Sequence, residues 1–242
     1  MQWSDEAVIL GARSHGETSV ILETLTRQHG RHLGIVRGGR SRRLAASLQP
    51  GNLAQITWRA RLDSQLGTFQ VEAGELRAAE MFGSPAALYG FATLASHLRL
   101  LAEREPHPEL YEAVCIVGEH LREPVIAAPL LLRFELALLA ELGFGLDLSA
   151  CVVTGTEENL AFVSPKSGRA VSLEAGKPYA AKLLALPAFL VDEQARALPN
   201  VVDIEAGFRL TGYFLSRHVH EPRGLALPEA RERFISIIRA IN

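Results

Sequence analysis

Arginine is concentrated in one stretch of this chain. Between Thr24 and Leu62 the sequence holds eight arginines and no aspartate or glutamate, although the whole chain has a formal net charge of -2. The eight are Arg27, Arg31, Arg37, Arg40, Arg42, Arg43, Arg59 and Arg61. A guanidinium group stays charged at physiological pH and presents a planar fork of N–H donors that matches a phosphate. Because ordinary surfaces mix both signs of charge, this stretch predicts a binding site for a polyanion.

Two glycines accompany the four central arginines. Gly38 and Gly39 leave the backbone free to follow a ligand. The arginines around them are Arg37, Arg40, Arg42 and Arg43. If about four arginines each neutralise one phosphate of a single strand, affinity should fall roughly 50-fold between 50 and 200 mM salt. The alternative interpretation is a solvated charged face without a ligand.

Trp58 is the aromatic residue of the arginine-rich stretch, with Arg59 next to it and Arg61 close behind. Aromatic rings on which bases stack are typical of proteins that bind single-stranded nucleic acid. We therefore predict DNA contacts from Trp58, Arg59, Arg61 and Arg31 in addition to the four central arginines. The alternative for Trp58 is a place in the hydrophobic core.

Short strands must position these arginines. Alternation of apolar and polar residues predicts five strands. They span residues 7–12, 18–25, 31–36, 53–62 and 67–76. No segment long enough for a packed helix separates them, which favours a small closed or nearly closed barrel over a parallel sheet. Five strands with a basic loop are typical of the oligonucleotide-binding (OB) fold.

The period of the pattern changes at Ser84 and Pro85, which suit the N-cap and first position of a helix. From there apolar residues recur every three to four positions, and Gly143 is a suitable C-terminal glycine. The predicted helices span residues 84–105, 108–122, 128–142, 175–186, 203–218 and 228–241. We therefore predict an α+β chain, with an OB barrel over residues 1–80 and a mainly helical domain over residues 81–242.

Length and composition agree with this organisation. The 242 residues, 48% of them hydrophobic, suffice for one large or two modest packed domains. Residues 1–80 hold ten basic and eight acidic side chains, whereas residues 81–242 hold fifteen and nineteen. The first residues lack the features of a signal peptide, and no apolar run reaches the roughly 18 residues of a membrane span. We expect a cytoplasmic, nucleoid-associated protein.

Several motifs resemble those of one protein family. In the N-terminal half they are Glu6-Ala7-Val8-Ile9-Leu10, Gly16-Glu17-Thr18-Ser19, Arg37-Gly38-Gly39-Arg40 and Leu48-Gln49-Pro50-Gly51. In the C-terminal half they are Arg133-Phe134-Glu135-Leu136, Leu142-Gly143 and Leu146-Asp147-Leu148 before Cys151. On these motifs the sequence resembles the RecO family of bacterial recombination mediators, over most of the chain to about residue 175.

The resemblance implies an N-terminal OB fold and a helical domain in a protein that binds single- and double-stranded DNA. It implies that the protein anneals complementary strands in DNA repair and homologous recombination. It further implies help in loading the recombinase onto DNA coated by single-strand-binding protein, with RecR as a partner. These functions are expectations from the family and do not follow from composition.

The resemblance also implies that the acidic, apolar C-terminal tail of single-strand-binding protein docks on the helical domain. A pocket for such a tail needs apolar walls and a cation at its rim. Arg133, set among Leu132 and Phe134, has such neighbours, and Arg122 is a second candidate. The alternative for Arg133 is a surface arginine that covers its own apolar neighbours.

Many members of the family carry two Cys-x-x-Cys pairs that form a structural zinc ribbon. The matching positions here are Cys151, Thr154, Ser172 and Ala175. They fall in an inserted loop at about 144–176. Structural zinc needs four ligands, mostly thiolate or imidazole, so we predict a degenerate ribbon without zinc and a protein without a cofactor. His218 and His220 have no cysteine or carboxylate at ligand spacing, so no metal site is predicted there either.

The competing functional class is an enzyme. Asp5, His15 and Glu17, or His29 with His32, could supply an acid–base pair. No nucleophile motif, phosphate loop or metal-ligand signature accompanies them, so we predict a protein that is not an enzyme. A non-catalytic RNA-binding OB protein is the closer alternative, because stacking and phosphate contacts scarcely distinguish RNA from DNA.

Overall fold

The computed structural model describes residues 1–191 and 198–241. The chain divides into two compact units, residues 1–122 and residues 123–242. The first unit begins with a closed barrel in the strand order β1-β2-β3-β5-β4. Its strands are β1 Gln2–His15, β2 Ser19–Thr26, β3 Gly30–Val36, β4 Leu53–Arg59 and β5 Thr68–Ala73. This architecture confirms the predicted five-stranded barrel.

Alternating side chains fill the barrel. Leu22, Ile56 and Trp58 are fully buried in its core, and each buried side chain of this size contributes about 1.5–3 kcal/mol. Trp58 on β4 lies opposite Trp3 on β1 and opposite Phe69 on β5. The strand β4 therefore pairs with β1 as well as with β5, and this closes the barrel. The outer face of the same strands carries polar residues, as the period of two requires.

Helices complete the first unit. A single turn, α1 Arg42–Ala45, lies between β3 and β4, and α2 Ala78–Met81, α3 Pro85–Leu98 and α4 Pro108–His120 follow the barrel. The Ser84 side chain accepts a hydrogen bond from the Ala87 N–H at 3.3 Å, so the predicted N-cap of α3 is confirmed. The predicted extension of this helix to residue 105 is wrong. Residues beyond α3 approach β3 instead, where the Arg104 N–H donates to the Arg31 carbonyl at 2.8 Å.

The second unit combines helices with a small sheet. Its helices are α5 Pro124–Glu141, α6 Leu173–Gly176, α7 Val201–Phe214, which continues as a π-helix over Leu215–His220, and α8 Glu229–Ala240. The strands β6 Leu160–Val163, β7 Ala170–Ser172 and β8 Leu184–Ala185 pair in the order β7-β6-β8. Gly143 follows α5 with φ +84°, which confirms the predicted C-terminal glycine. Together the two units confirm the predicted class, a barrel followed by a helical domain.

The helix predicted over residues 175–186 is wrong. The segment contains the end of α6, a 3-10 turn over Lys177–Lys182 and the strand β8. The Leu186 N–H donates to the Ala161 carbonyl at 2.8 Å, so the chain is extended here to join the sheet. Apolar spacing alone did not reveal this pairing, because a short strand and a helical turn look alike over so few residues.

The two compact units group α2, α3 and α4 with the barrel, whereas the predicted division lies at residue 80. The change from strands to helices does fall between β5 and α2, close to that residue. The functional division at residue 80 therefore stays a prediction. In the described ranges, none of the helices combines the length and apolar character needed to cross a membrane.

Candidate nucleic-acid interface

The arginine–glycine turn after β3 is shaped by its two glycines. Gly38 has φ +67°, a conformation that side chains with a Cβ seldom adopt. Gly39 is packed so closely that an added Cβ would lie 2.6 Å from the Val20 side chain. The chain then enters α1 after the Ser41 N–H donates to the Gly38 carbonyl at 3.0 Å. This tight turn presents Arg37 at the end of β3 and the remaining basic residues beyond it.

Arg37, Arg43 and Arg59 converge on one open groove on the outside of the barrel, with a volume of about 530 Å³. All three side chains are exposed. They come from the end of β3, from α1 and from the end of β4, so distant parts of the sequence supply one surface. None of the three has an ion-pair partner in the part of the chain that the structure describes. We name this surface the basic groove.

Polar side chains that sequence reasoning missed line the floor of the basic groove. Thr57 on β4 lies opposite Gln70 on β5, and Arg59 lies opposite Thr68. Hydroxyl and amide groups donate hydrogen bonds to phosphate and sugar oxygens, and such contacts position a backbone without reading sequence. The period-two pattern of β4 and β5 was the signal that could have found them. Glu72 is the acidic residue in the lining.

The Arg40 side chain contacts the turn between β1 and β2. Its guanidinium donates to the Glu17 carbonyl at 2.8 Å and to the Gly16 carbonyl at 3.4 Å, so it ties the turn after β3 to the turn between β1 and β2. Arg42 on α1 and Arg61 beyond β4 are exposed, without an ion pair to any described residue. Of the predicted arginines, Arg40 therefore holds two turns together, whereas Arg42 and Arg61 are exposed positive charges without an ion-pair partner among the described residues.

Arg31 does not belong to the free arginines. Its side chain is 13% exposed, and its guanidinium lies 3.0 Å from a Glu23 oxygen and 3.5 Å from a Glu103 oxygen. A third bond runs from Nε to the Leu101 carbonyl at 3.3 Å. A charge that is this enclosed and this well paired is part of the fold, so the predicted role of Arg31 in DNA contact is withdrawn.

Trp58 is also corrected by the structure. Its side chain is 0% exposed, and Nε1–H donates to the Leu66 carbonyl at 3.0 Å. The ring packs 5.7 Å from Trp3 and edge-on to His32 at 5.1 Å. Burial in this aromatic cluster lowers the pKa of His32. The prediction of Trp58 as a stacking residue is wrong, and the alternative, a core position, is what the structure shows.

The two arginines predicted to bind a partner tail are both surface residues with a partner of their own. Arg122, in the first unit, lies 3.1 Å from a Glu80 oxygen. Arg133, on α5 in the second unit, donates from Nη2 to the Phe189 carbonyl at 2.7 Å. This contact is to a backbone carbonyl, and the Phe189 side chain itself is buried. Their role in binding a tail stays a prediction.

The zinc-ribbon positions do not offer a ligand set for zinc. Cys151 is buried, and the fourth position, Ala175, has no side-chain atom that could bind a metal. Burial raises the pKa of Cys151, but the polar groups of Ser172 and Thr154 outweigh it and lower the pKa to about 6. Within residues 1–191 and 198–241, no three His, Cys, Asp or Glu side chains gather as a metal site would require.

Known proteins share sequence with this chain over nearly its whole length, in both the barrel and the helical part. Residues 1–76 match the family model for the N-terminal region of recombination protein O, and residues 86–225 match the model for its C-terminal region. The chain is 59% identical to the DNA repair protein RecO of Methylobacterium nodulans, with 98% of both chains covered. It is 57% identical to the protein of that name from a Chelativorans species, covering 98% of this chain and 96% of the relative.

Proposed function

The chain belongs to the RecO family of DNA repair proteins, and from this premise we propose that its basic groove binds the DNA backbone. The observation that carries the proposal is the convergence of Arg37, Arg43 and Arg59 on one open groove without a carboxylate partner. An exposed, unpaired guanidinium keeps its full attraction for phosphate, since no internal ion pair has to be broken first.

The groove is suited to phosphates more than to bases. Trp58 is enclosed, and the aromatic residue in the lining, Phe69, is itself 4% exposed. Without a ring on which a base can stack, binding rests on charge and on hydrogen bonds to phosphate and sugar. Such contacts are possible with one strand or with a duplex, which supports binding of both forms of DNA.

Charge neutralisation also accounts for strand annealing, which we include in the proposed function. Two complementary strands repel each other through their phosphates until base pairing begins. Five of the arginines predicted to contact DNA are exposed and have no ion pair or side-chain hydrogen bond with a described residue: Arg37, Arg42, Arg43, Arg59 and Arg61. If each neutralises one phosphate of a single strand, the salt slope is about -3.5, and affinity falls by roughly 100-fold between 50 and 200 mM salt.

The wider role follows from the family. We propose a non-catalytic mediator of homologous recombination that anneals strands and helps load the recombinase onto DNA coated by single-strand-binding protein. RecR and the tail of single-strand-binding protein are the proposed partners, with Arg133 and Arg122 as candidate tail contacts. Arg133 is the better supported of the two, because every α5 residue before it, from Pro124 to Leu132, is apolar and its only hydrogen bond to a described residue goes to a backbone carbonyl, whereas Arg122 is paired with Glu80.

The decisive experiment compares two variants that lose the same charge. One carries Arg37→Ala, Arg43→Ala and Arg59→Ala in the basic groove. The control carries Arg13→Ala, Arg209→Ala and Arg217→Ala, three exposed arginines outside it. Fluorescence anisotropy with a labelled oligonucleotide should show at least a tenfold loss for the groove variant and a salt slope reduced by about 2. Equal affinities of the two variants would contradict the proposed site.

The same assay separates DNA from RNA. Single-stranded RNA of equal length and sequence is added as a competitor against labelled DNA. Because the groove contacts phosphates, we expect single-stranded DNA and RNA to bind with similar affinity. Selectivity for DNA in repair would then come from partner proteins. Strong preference for RNA would favour the alternative of an RNA-binding OB protein. Annealing of complementary oligonucleotides without a nucleotide, at a rate that the groove variant lowers, supports the mediator role.

A further inference from the structure

Three aromatic rings of the second unit are stacked in a column. His218 lies between Phe214 and Phe144, with its ring centroid 5.9 Å from the first and 5.3 Å from the second. The interplanar angles are 11° and 23°, so the rings are close to parallel. Exposure rises along the column, from 2% at Phe214 to 38% at Phe144. Because His218 covers one face of the Phe144 ring, the exposed area lies on its other face and its edge.

Local backbone structure holds both ends of the column. Phe144 follows α5, where Gly143 turns the chain with φ +84° and the Phe144 N–H donates to the Leu139 carbonyl at 2.7 Å. His218 belongs to the π-helix over Leu215–His220 that continues α7. Such π-helical turns are rare and frequently occur at functional sites. A ring that is already held in place by its neighbours loses little conformational freedom when a ligand binds to it.

The charged residues beside the column are engaged with partners inside the unit. Asp147, three residues beyond Phe144, pairs with Arg169 at 3.1 Å. Arg217, next to His218, donates from Nη1 to the Tyr213 hydroxyl at 3.2 Å and lies over the Tyr213 ring at 6.0 Å. A ligand on the outer face of Phe144 would therefore be held by the ring itself more than by charge.

We propose that the exposed face of Phe144 stacks a base of single-stranded DNA. A base is a flat π-system that can extend a column of parallel rings, and stacking of this kind accepts every base. The proposal rests on the proposed function and deepens it, because the aromatic residue that lines the basic groove, Phe69, is buried. The groove holds the backbone, and Phe144 adds a contact that only an unpaired base can make.

The first test removes the outer ring. Phe144→Leu keeps an apolar side chain without a π-face, so affinity for a single-stranded oligonucleotide should fall by about fivefold or more. The salt slope should stay unchanged, because no phosphate contact is lost. Affinity for a duplex should stay within about twofold, because its bases are already stacked on one another. Phe82→Leu, at an exposed phenylalanine of the first unit, is the matched control.

Equal single-strand affinity of Phe144→Leu and Phe82→Leu would overturn the proposal. An equal loss with single-stranded and duplex DNA, or a lower salt slope, would overturn it too, because either result indicates a contact with phosphate. Phe144→Tyr keeps the ring and should bind as the original protein does. If Phe144→Tyr binds as weakly as Phe144→Leu while both unfold at the original temperature, the ring is not the contact and the proposal is wrong.

The second test locates the base directly. The full chain is irradiated with an oligonucleotide that carries 5-iododeoxyuridine, and the digested protein is analysed by mass spectrometry. We expect a cross-link in the peptide that contains Phe144, and cross-links confined to other peptides would overturn the proposal. The outcomes also separate the two sites. A weakened groove variant with an unaffected Phe144→Leu removes only the stacking contact, whereas a groove variant with full affinity removes the proposed function of the groove.

Discussion

Arg231 on α8 and Glu135 on α5 form a buried, two-pronged ion pair in the second unit. The Nε atom lies 2.7 Å from one Glu135 oxygen and Nη2 lies 3.0 Å from the other. Side-chain exposures are 2% and 0%. Arg231 also donates to the Phe208 carbonyl at 2.7 Å and to Thr211 Oγ1 at 3.0 Å, so α5, α7 and α8 share one polar centre.

We expect removal of one member of this pair to destabilise the second unit strongly. Glu135→Leu or Arg231→Met alone leaves the other charge buried without its partner, at a cost of about 3–5 kcal/mol. The double change to apolar residues, Glu135→Leu with Arg231→Met, should cost less than either single change. Thermal and urea unfolding of the full chain measure this difference. Arg233→Ala, in an exposed pair on the same helix, is the control, and additive single-variant losses would contradict the expectation.

A second prediction compares Arg31, which is enclosed by ion pairs in the fold, with Arg59, which lies in the basic groove. Arg31→Ala should lower the free energy of unfolding by about 1–3 kcal/mol, because it leaves the enclosed Glu23 with one partner fewer. Its effect on DNA affinity, measured by anisotropy on folded protein, should be less than twofold. Arg59→Ala should show the opposite profile, with unchanged stability and a salt slope lower by about 0.7. A larger affinity loss for Arg31→Ala than for Arg59→Ala would show that the basic groove is wrongly placed.

Trp58 gives a third prediction. Trp58→Leu keeps an apolar side chain in the core but removes the aromatic ring and its hydrogen bond to the Leu66 carbonyl, so stability should fall by about 3–5 kcal/mol. DNA affinity of the folded variant should stay within twofold of the original. Loss of a true stacking partner costs about 1–3 kcal/mol of binding free energy. A drop in affinity of tenfold or more would therefore restore Trp58 to the DNA-contacting residues.

The outcome at Trp58 and Arg31 shows how far sequence alone reaches. Ala54, Ile56 and Trp58 alternate in the same phase, and that phase assigns Trp58 to the barrel interior, so its burial was predictable. Arg31 was different, because one of its two ion-pair partners, Glu103, lies 72 positions away along the chain, and the other, Glu23, is brought to it only by the pairing of β2 with β3. Nothing in the local charge pattern indicates which distant carboxylates reach the barrel.

The basic groove, too, was only partly predictable from the sequence. The concentration of arginine predicted a basic barrel, but the grouping of Arg37, Arg43 and Arg59 depends on the strand order, in which β5 pairs with β4 on one side and with the end of β3 on the other. The small sheet of the second unit was missed because β6, β7 and β8 are four residues or fewer. Strands this short show too few alternations for a period to be recognised.

Gly39 provides a fourth prediction, in which affinity changes without any change of charge. A Cβ at this position would lie 2.6 Å from the Val20 side chain and 3.1 Å from the Val36 carbonyl oxygen. Gly39→Ala should therefore displace the turn that carries Arg37, with about 1–3 kcal/mol of strain. We expect a several-fold loss of DNA affinity in the anisotropy assay. Gly83→Ala, where a Cβ meets open space, is the control, and equal affinity of the two variants would argue against a rigid turn.

The last prediction concerns the partner tail and Arg133. This side chain is exposed and donates to the Phe189 carbonyl at 2.7 Å, which leaves other guanidinium N–H groups for an incoming carboxylate. Arg133→Ala should weaken binding of an acidic, apolar tail peptide by about tenfold, the loss expected for a charge-assisted hydrogen bond. Affinity for bare DNA should be unchanged. Arg209→Ala, a similarly exposed arginine in the second unit, is the control for net charge. Peptide affinity that is the same for Arg133→Ala and for Arg209→Ala would remove Arg133 from the proposed tail site.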